Sequence, residues 1–354
     1  MITMEELLSL LVRQGGSDLH LSVNSPPRIR VDGVLLPVDC PPLTPEDTRR
    51  LSTSVLTSEQ IAKLDRELEL DCSFGLQGQG RFRANVFHQQ GAPAAVMRLI
   101  PTKIATFEQL GLPKAVCERV CALRAGLVLV TGATGSGKST SLASMIGHIN
   151  SSHQGHIVTI EDPIEFTHQH RSCMVTQREV GGDTHTFARA LRSVLRQDPD
   201  VILVGELRDH ETIEAALTLA ETGHLTFATL HTSDCVQTIN RIVDVFPPHQ
   251  QQQVRTQLSF TLEAVFSQQL MPLASGRGRA LAMETMIATP AIRALIREGK
   301  SHQMYSHIQT GGRLGMRTMA QALADLVKSG RVRIEDADRA LSDPSELRTL
   351  IRAA

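Results

Sequence analysis

The segment that most restricts how this sequence can fold is a glycine-rich loop, GATGSGKS, at residues 132–139. It fits the phosphate-binding pattern G-x-x-x-x-G-K-[ST], and it follows an apolar run and precedes a helical pattern. In this setting the glycines let successive main-chain amides surround a phosphate, and the start of the helix adds a partial positive charge. The loop therefore predicts a P-loop fold that binds a nucleotide.

Individual residues of this loop have expected parts in nucleotide binding. Lys138 is expected to contact the β- and γ-phosphates of ATP, and the Ser139 hydroxyl is expected to hold Mg²⁺. The other positions expected to bind the nucleotide are Gly132, Thr134, Gly135, Ser136, Gly137 and Thr140. ATP and Mg²⁺ are thus the predicted ligands, although the loop alone does not separate a kinase, a GTPase, a transporter and a motor.

Downstream of residue 113, apolar runs of strand length alternate with helical patterns, which predicts a parallel sheet covered by helices on both faces. Beyond about residue 248 the pattern becomes mostly helical, with one strand near 279–287. The predicted class is α/β, with a P-loop ATPase core over 114–288 and a helical C-terminal region over 289–354. The apolar side of a helix at 291–298 is expected to be Ile292, Leu295 and Ile296, with Arg293 and Arg297 pointing outward.

Residues 1–100 follow another pattern and are predicted to form a separate α+β domain. An amphipathic helix is expected over 4–12, and capping boxes at Thr44 and Thr57 are expected to begin two further helices. Alternating or apolar runs at 80–90 and 94–101 are typical of strands. The segment 101–113 is the expected linker.

Polar residues follow the later strands of the predicted sheet. Glu165 lies just beyond one strand, Glu206 and His231 end two others, and His224 precedes the last. Because P-loop active sites gather at the carboxyl ends of parallel strands, one carboxylate can polarise the attacking water and another can orient Mg²⁺ through its water shell. The two histidines are seven residues apart on a strand, so they face opposite ways and cannot chelate one metal ion.

The composition narrows the possible partners and location. The chain has no Trp, one Tyr, ten Phe and a formal net charge of −1. Because proteins that hold single-stranded nucleic acid stack bases on aromatic side chains in basic grooves, no nucleic-acid partner is expected. No apolar run approaches the ~20 residues that span a bilayer, and the first residues lack a signal-peptide pattern. Six scattered cysteines favour free thiols in a reducing cytoplasm.

Four motifs together resemble those of the secretion-superfamily ATPases. TGATGSGKST at 131–140 is similar to the Walker A motif, TIEDPIEF at 159–166 to the Asp box, DPDVILVGELRD at 198–209 to Walker B and TGHLTFATLHT at 222–232 to the His box. The segment SDLHL at 17–21 also resembles part of the family's first domain. The resemblance implies an N-terminal PAS-like α+β domain, a RecA-like P-loop ATPase domain and a helical C-terminal extension.

Within this superfamily, two further segments resemble the pilus retraction branch. AIRALIRE at 291–298 looks like the C-terminal helix motif of PilT-type retraction ATPases, and QMYSHIQTGGRLGM at 303–316 is similar to the segment that follows it there. Extension and type II secretion members usually carry a four-cysteine insert, which this sequence lacks. Ala133 stands where the Walker A motif of the superfamily usually has Pro. Ala294 stands where the retraction helix usually has Asn, which slightly weakens the match to this branch.

The resemblance implies a homohexameric motor that hydrolyses ATP to power pilus retraction and twitching motility. Its implied partners are an inner-membrane platform protein and a paralogous retraction ATPase, and its implied location is the cytoplasmic side of that membrane at the pilus base. At least one of Arg81, Arg83 and Arg98 is expected to act on ATP across a subunit interface. Glu165 is the expected base, Glu206 the Walker B acid and His231 a γ-phosphate sensor or an interface contact, with His224 a further nucleotide contact.

Several alternatives remain open from the sequence. The two glutamates could exchange roles, and the chain could be an accessory paralogue or an extension or type II secretion ATPase instead of the main retraction motor. A RecA-like nucleic-acid translocase predicts an ATPase stimulated by DNA or RNA. A nucleotide-gated regulator predicts tight ATP binding with negligible turnover.

Overall fold

The structure is a computed structural model that describes residues 2–76 and 78–352. The chain divides into two compact units. The first unit runs to Lys103 and also includes the short segment Pro163–Thr167, and the second contains the remaining residues from Ile104 onward. The predicted α/β class with an α+β N-terminal domain is confirmed.

The first unit is built on one six-stranded antiparallel sheet with the strand order β3-β2-β1-β6-β5-β4. Thr44 and Thr57 form the predicted capping boxes at the starts of two of its helices. The bounds of its helices and strands are α1 Met4–Arg13, β1 Asp18–Leu21, β2 Arg28–Val31, β3 Val34–Pro37, α2 Pro45–Thr53, α3 Ser58–Glu67, β4 Glu69–Leu76, β5 Gly80–Gln89 and β6 Ala92–Ile100.

The two faces of this sheet differ sharply in polarity. One face packs on the three helices through buried side chains such as Leu8, Phe82 and Met97. Strand side chains alternate between faces, so the opposite face carries Arg83 and its cross-strand partner Arg98. The first unit therefore has a buried apolar face and an arginine-bearing face.

The second unit is built on a seven-stranded sheet with the order β13-β12-β7-β11-β10-β8-β9, in which only β13 runs antiparallel to its neighbour. The bounds of its elements are α4 Phe107–Leu110, α5 Lys114–Cys121, β7 Gly126–Thr131, α6 Lys138–Ser152, β8 His156–Glu161, β9 Met174–Glu179, α7 Phe187–Val194, β10 Val201–Val204, α8 His210–Glu221, β11 Leu225–Leu230, α9 Cys235–Asp244, α10 Pro248–Thr261, β12 Leu262–Pro272, β13 Arg279–Ile287, α11 Pro290–Glu298, α12 Met304–Thr310, α13 Met319–Lys328, α14 Ile334–Arg339 and α15 Ser345–Arg352.

The main error of the sequence-based prediction concerns β12. The segment Leu262–Pro272 was expected to be helical, but it forms an eleven-residue strand between β7 and β13. Its burial pattern is nearly continuous, because the sheet is covered on both faces, and this removes the alternation that marks a half-buried strand. β12 brings Gln268 beside the phosphate loop.

The boundary between the units also differs from the expected linker over 101–113. Thr106 and Gln109 form a capping box that begins α4, and Phe107 and Leu112 are buried in the core of the second unit. The apolar residues of this segment thus belong to the ATPase unit. The helical C-terminal region from 289 onward likewise belongs to the second unit.

The helix α11 buries the apolar side predicted for it, with Ile292, Leu295 and Ile296 in the core. The prediction that Arg293 points outward is wrong, since its side chain is only 21% exposed. Its guanidinium donates to the carbonyl oxygens of Ser259 and Phe260 in the last turn of α10, at 3.0 and 2.9 Å. A cation at this position satisfies carbonyls that the helix itself leaves unpaired and matches the negative end of the helix dipole.

Replacing Arg293 by Ala should lower the free energy of unfolding by about 2–3 kcal/mol, because it leaves partly buried carbonyls without a donor. The same side chain also pairs with Glu263 at 2.8 Å. Urea unfolding of purified protein measures the change, with Lys300→Ala as the control, since Lys300 is exposed and pairs with the exposed carboxylate of Glu298. Equal stability of Arg293→Ala and the wild type would contradict a capping role.

The C-terminal helix α15 is fastened to α12 through one carboxylate. The Tyr305 hydroxyl donates to Oε2 of Glu346, and Nε2 of Gln309 donates to its Oε1 at 2.9 Å. Burial and the adjacent Glu346 raise the pKa of Tyr305, so the phenol stays protonated. This contact joins two segments that are about forty residues apart in the chain.

The cysteines are free thiols, as predicted, and four of the six are buried. Burial raises the pKa of Cys117 to about 12. None of the helices within residues 2–76 and 78–352 combines the length and apolar character that crossing a bilayer requires.

Candidate ATP-hydrolysis site

The loop between β7 and α6 is shaped by glycines with positive φ angles, which residues with side chains rarely adopt. Gly132 has a φ of +138°, and a Cβ there would lie 2.5 Å from the carbonyl oxygen of Gln268. Gly137 has a φ of +91° and precedes the first residue of α6 without capping that helix by a side chain. No side chain covers the start of α6, where the helix dipole favours an anion.

The lining of this loop fits phosphate. The Ser136 hydroxyl is buried and has no hydrogen-bond partner among the described residues. Lys138 is 9% exposed, and its ammonium group donates to the carbonyl oxygen of Gly132 at 2.8 Å. A buried cation and an orphan hydroxyl in one loop at the start of a helix are donors that suit a polyphosphate.

Two of the predicted catalytic residues lie together beside Lys138. Nδ1 of His231 is 3.5 Å from Nζ of Lys138, and its Nε2 is 3.2 Å from Oε1 of Glu206. A lysine ammonium can only donate, so in the neutral imidazole the proton lies on Nε2 and is shared with Glu206. The sheet produces this cluster, because β7, β10 and β11 are adjacent parallel strands that end at one edge.

Glu206 has a second partner that the sequence analysis did not assign. Nη2 of Arg208 lies 2.9 Å from Oε2 of Glu206, so each carboxylate oxygen has its own cationic or N–H partner. Partial burial raises the pKa of Glu206, but the hydrogen bond and charge of Arg208, aided by His231, outweigh it and hold the pKa below its usual range. Glu206 is therefore an ionised carboxylate at neutral pH.

Gln268 is the other residue that sequence reasoning missed. It is fully buried, its main-chain carbonyl faces Gly132, and its Nε2 donates to the Ser141 hydroxyl at 2.7 Å. It thus ties β12 to both the loop and α6. The sequence feature that could have revealed Gln268 is the polar pair Gln268-Gln269 inside an apolar run. Assigning this run to a strand is what would have placed the pair beside the loop.

The structure does not bring His224 to the phosphate loop. This residue precedes β11, and its carbonyl oxygen accepts from the amide of Gly126 at the start of β7. It is therefore separated from the loop by the length of that strand, about 20 Å. Its ring nitrogen Nδ1 instead lies 3.0 Å from the carbonyl oxygen of Leu219, near the end of α8.

Glu165 is exposed and lies in the segment Pro163–Thr167, which belongs to the first unit. In that unit the three predicted arginines share the polar face of the sheet. Arg98 pairs with the buried Asp18 at 2.7 Å, and Arg81 donates to the Ser73 hydroxyl at 2.6 Å. The Arg83 side chain is exposed, and its Nη2 lies 3.9 Å from Oδ1 of Asp71.

The family model for type II/IV secretion system proteins matches residues 1–339. The type IV pilus retraction ATPase PilT of Pseudomonas aeruginosa is 52% identical over 332 residues, which cover 94% of this chain and 96% of the relative. The chain belongs to the type II/IV secretion system family and is a PilT-type ATPase within it.

Two further comparisons refine this assignment. The type IV pilus ATPase PilU of P. aeruginosa is 42% identical over 98% of this chain and 91% of that protein. The crystal structure of the pilus retraction motor PilT with bound ADP superimposes with a TM-score of 0.91 at 50% identity, over 99% of this chain and all of that one. The fold of a PilT-type ATPase thus extends over both units of the chain.

Proposed function

We propose that this protein is a motor that hydrolyses ATP to retract type IV pili and so power twitching motility. The observation that carries the proposal is the cluster of Lys138, His231 and Glu206 beside the glycine-rich loop 132–139, whose lining suits phosphate. The high identity to a retraction ATPase over nearly the whole chain supports the same function. We further propose that it acts as a homohexamer on the cytoplasmic side of the inner membrane, against a platform protein at the pilus base.

ATP is the substrate that the loop is proposed to bind. Lys138 would hold the β- and γ-phosphates, and the amides at the start of α6 would hold the oxygens that face the loop. The oxygen donors that could hold Mg²⁺ are the hydroxyl of Ser139 in the first turn of α6 and, through water, the carboxylate of Glu206. Oxygen donors of this kind suit Mg²⁺, which when bound would neutralise charge that develops on the phosphates.

A cavity next to the loop has both aliphatic and charged walls. It has a volume of about 390 Å³, adjoins Thr134 and Gly135, and is lined further by the aliphatic Leu270 and Met271 and by the charged Arg279, Asp336 and Arg339. No aromatic side chain lines it among the described residues. We infer that the base rests on aliphatic surface and that the phosphates supply most of the affinity.

The residues around the γ-phosphate have complementary proposed roles. His231 would report the presence of the γ-phosphate to Glu206 through its Nε2–H, because the ring touches both Lys138 and that carboxylate. Glu165 is proposed as the base that polarises water, and Glu206 as the acid that orients Mg²⁺. One of Arg81, Arg83 and Arg98 is proposed to act on ATP held by a neighbouring subunit.

Deleting the gene from a piliated host should leave an excess of surface pili and abolish twitching, because assembled pili would no longer be withdrawn. Pilus counts by electron microscopy and colony expansion on soft agar measure the two effects. Complementation with the wild-type gene provides the control. Loss of surface pili in the deletion strain would instead identify an extension motor.

The relationship to PilU supports one second candidate, an accessory retraction ATPase that works with a paralogous motor. The same deletion strain separates the two, because loss of an accessory ATPase should leave retraction against low load largely intact. In that case the force at which single pili stall would fall, and the paralogue would have to be present for any retraction.

A further inference from the structure

Glu284 on β13 is a buried carboxylate that the proposed chemistry does not use. It is 2% exposed. Its Oε1 accepts from the main-chain amide of Cys235 at 2.7 Å, and its Oε2 accepts from the main-chain amide of Met319 at 3.2 Å. These amides belong to the first residues of α9 and α13, so one side chain caps the starts of two helices.

The chemistry of this contact suits a carboxylate. The first amides of a helix have no partner within it, and they form the positive end of the helix dipole. Burial raises the pKa of Glu284, while the two amide hydrogen bonds act in the opposite direction. Burying a carboxyl group costs free energy unless the group is hydrogen-bonded, so these two bonds offset the cost of burying Glu284.

One of the two helices begins next to the proposed site. The loop 231–234 joins His231 at the end of β11 to Cys235 at the start of α9. The Ser267 hydroxyl of β12 donates to the carbonyl oxygen of Ser233 at 2.9 Å, which holds the middle of this loop. Glu284 of β13 holds the far end of the loop at Cys235. The neighbouring strands β12 and β13 therefore fix the loop at two points, Ser233 and Cys235.

We propose that Glu284 is a positioning residue that fixes the start of α9 and thereby holds His231 between Lys138 and Glu206. This inference rests on the proposed role of His231 in ATP hydrolysis. The second bond of the same carboxylate, to α13, fixes the loop relative to the C-terminal helices. Glu284 itself lies outside the contacts to Lys138 and Glu206, and acts through the backbone.

A double-mutant cycle tests the proposal. Glu284→Ala removes both acceptors and should lower kcat for ATP hydrolysis about 10-fold with little change in KM, since a small displacement of a catalytic group costs rate. Glu284→Gln keeps one acceptor oxygen and should recover part of the rate. Both substitutions should have no further effect in a His231→Ala background, because a residue that acts only through His231 is silent once that ring is gone.

Two controls separate this role from a general effect on folding. Thr285→Val alters the next residue of β13, whose buried hydroxyl has no partner among the described residues, and should keep wild-type rates. Thermal melting of each variant measures stability, and Glu284→Gln, which preserves the side-chain volume, supplies the cycle if Glu284→Ala does not fold. Single-turnover hydrolysis of radiolabelled ATP extends the range of measurable rates to those of the slow double variants.

The outcomes are distinguishable. A loss that adds in full to that of His231→Ala, or wild-type kcat in both Glu284 variants, would overturn the positioning role. If His231→Ala itself hydrolyses ATP at the wild-type rate, the proposed function of His231 fails instead, whatever Glu284 does.

Discussion

Lys138→Ala should lose ATP binding and reduce hydrolysis by about 10²–10³-fold, because one preorganised charged donor to the reacting phosphates is removed. The side chain is buried in the loop, and its ammonium group donates to the carbonyl oxygens of Gly132 and Ala133. Arginine at this position should rescue little, since a guanidinium is wider than an ammonium and differs in geometry.

The composition of the chain makes this prediction simple to measure. With no Trp and one Tyr, absorbance at 280 nm is low, so bound nucleotide dominates the absorbance at 260 nm. Wild-type protein incubated with ATP and desalted should carry nucleotide, and Lys138→Ala should not. Lys328→Ala, at an exposed position near the end of α13, is the matched control. Equal nucleotide content in Lys138→Ala and the wild type would exclude the loop as the binding site.

Glu206→Gln should bind ATP normally and hydrolyse it about 10²–10³-fold more slowly, because one preorganised charge that orients Mg²⁺ is removed. The substitution keeps the shape of the side chain but removes the charge that pairs with Arg208. Since the pKa of Glu206 lies below its usual range, lowering the pH to about 5 should not reproduce this loss.

The matched control is Glu211→Gln, which breaks a carboxylate–arginine pair on the surface of α8 and should leave turnover unchanged. The Mg²⁺ concentration that gives half-maximal activity separates the two glutamates. It should rise in Glu206→Gln and stay constant in Glu165→Gln if Glu206 orients Mg²⁺ and Glu165 acts as the base. The reverse pattern would exchange the two assignments, and normal turnover in Glu206→Gln would remove it from the mechanism.

The sequence predicted those parts of the site that depend on local pattern. Lys138 and Ser139 follow from the spacing of the loop, and Glu206 and His231 follow from their positions at the ends of parallel strands. Their mutual contacts then follow from strand order, since β10, β11 and β7 are neighbours. Local pattern and topology agree here, which is why the prediction reached individual residues.

The parts that failed depend on packing between distant segments. β12 lacks alternation because it is buried on both faces, so Gln268 could not be placed beside Gly132. Arg293 was expected to be exposed because its helix is amphipathic, yet the end of α10 lies over it and offers its carbonyls. Glu284 gives no local signal at all, since its partners are amides about 50 and 35 residues away in the chain.

The contact between Tyr305 and Glu346 gives this protein a built-in optical probe. Emission excited near 280 nm arises from a single ring, because the chain has one Tyr and no Trp. A phenol that donates to a carboxylate transfers its proton readily in the excited state, and this quenches its fluorescence. Release of α15 from α12 would therefore brighten the protein, so the intensity of this emission shows without any label whether the contact is intact.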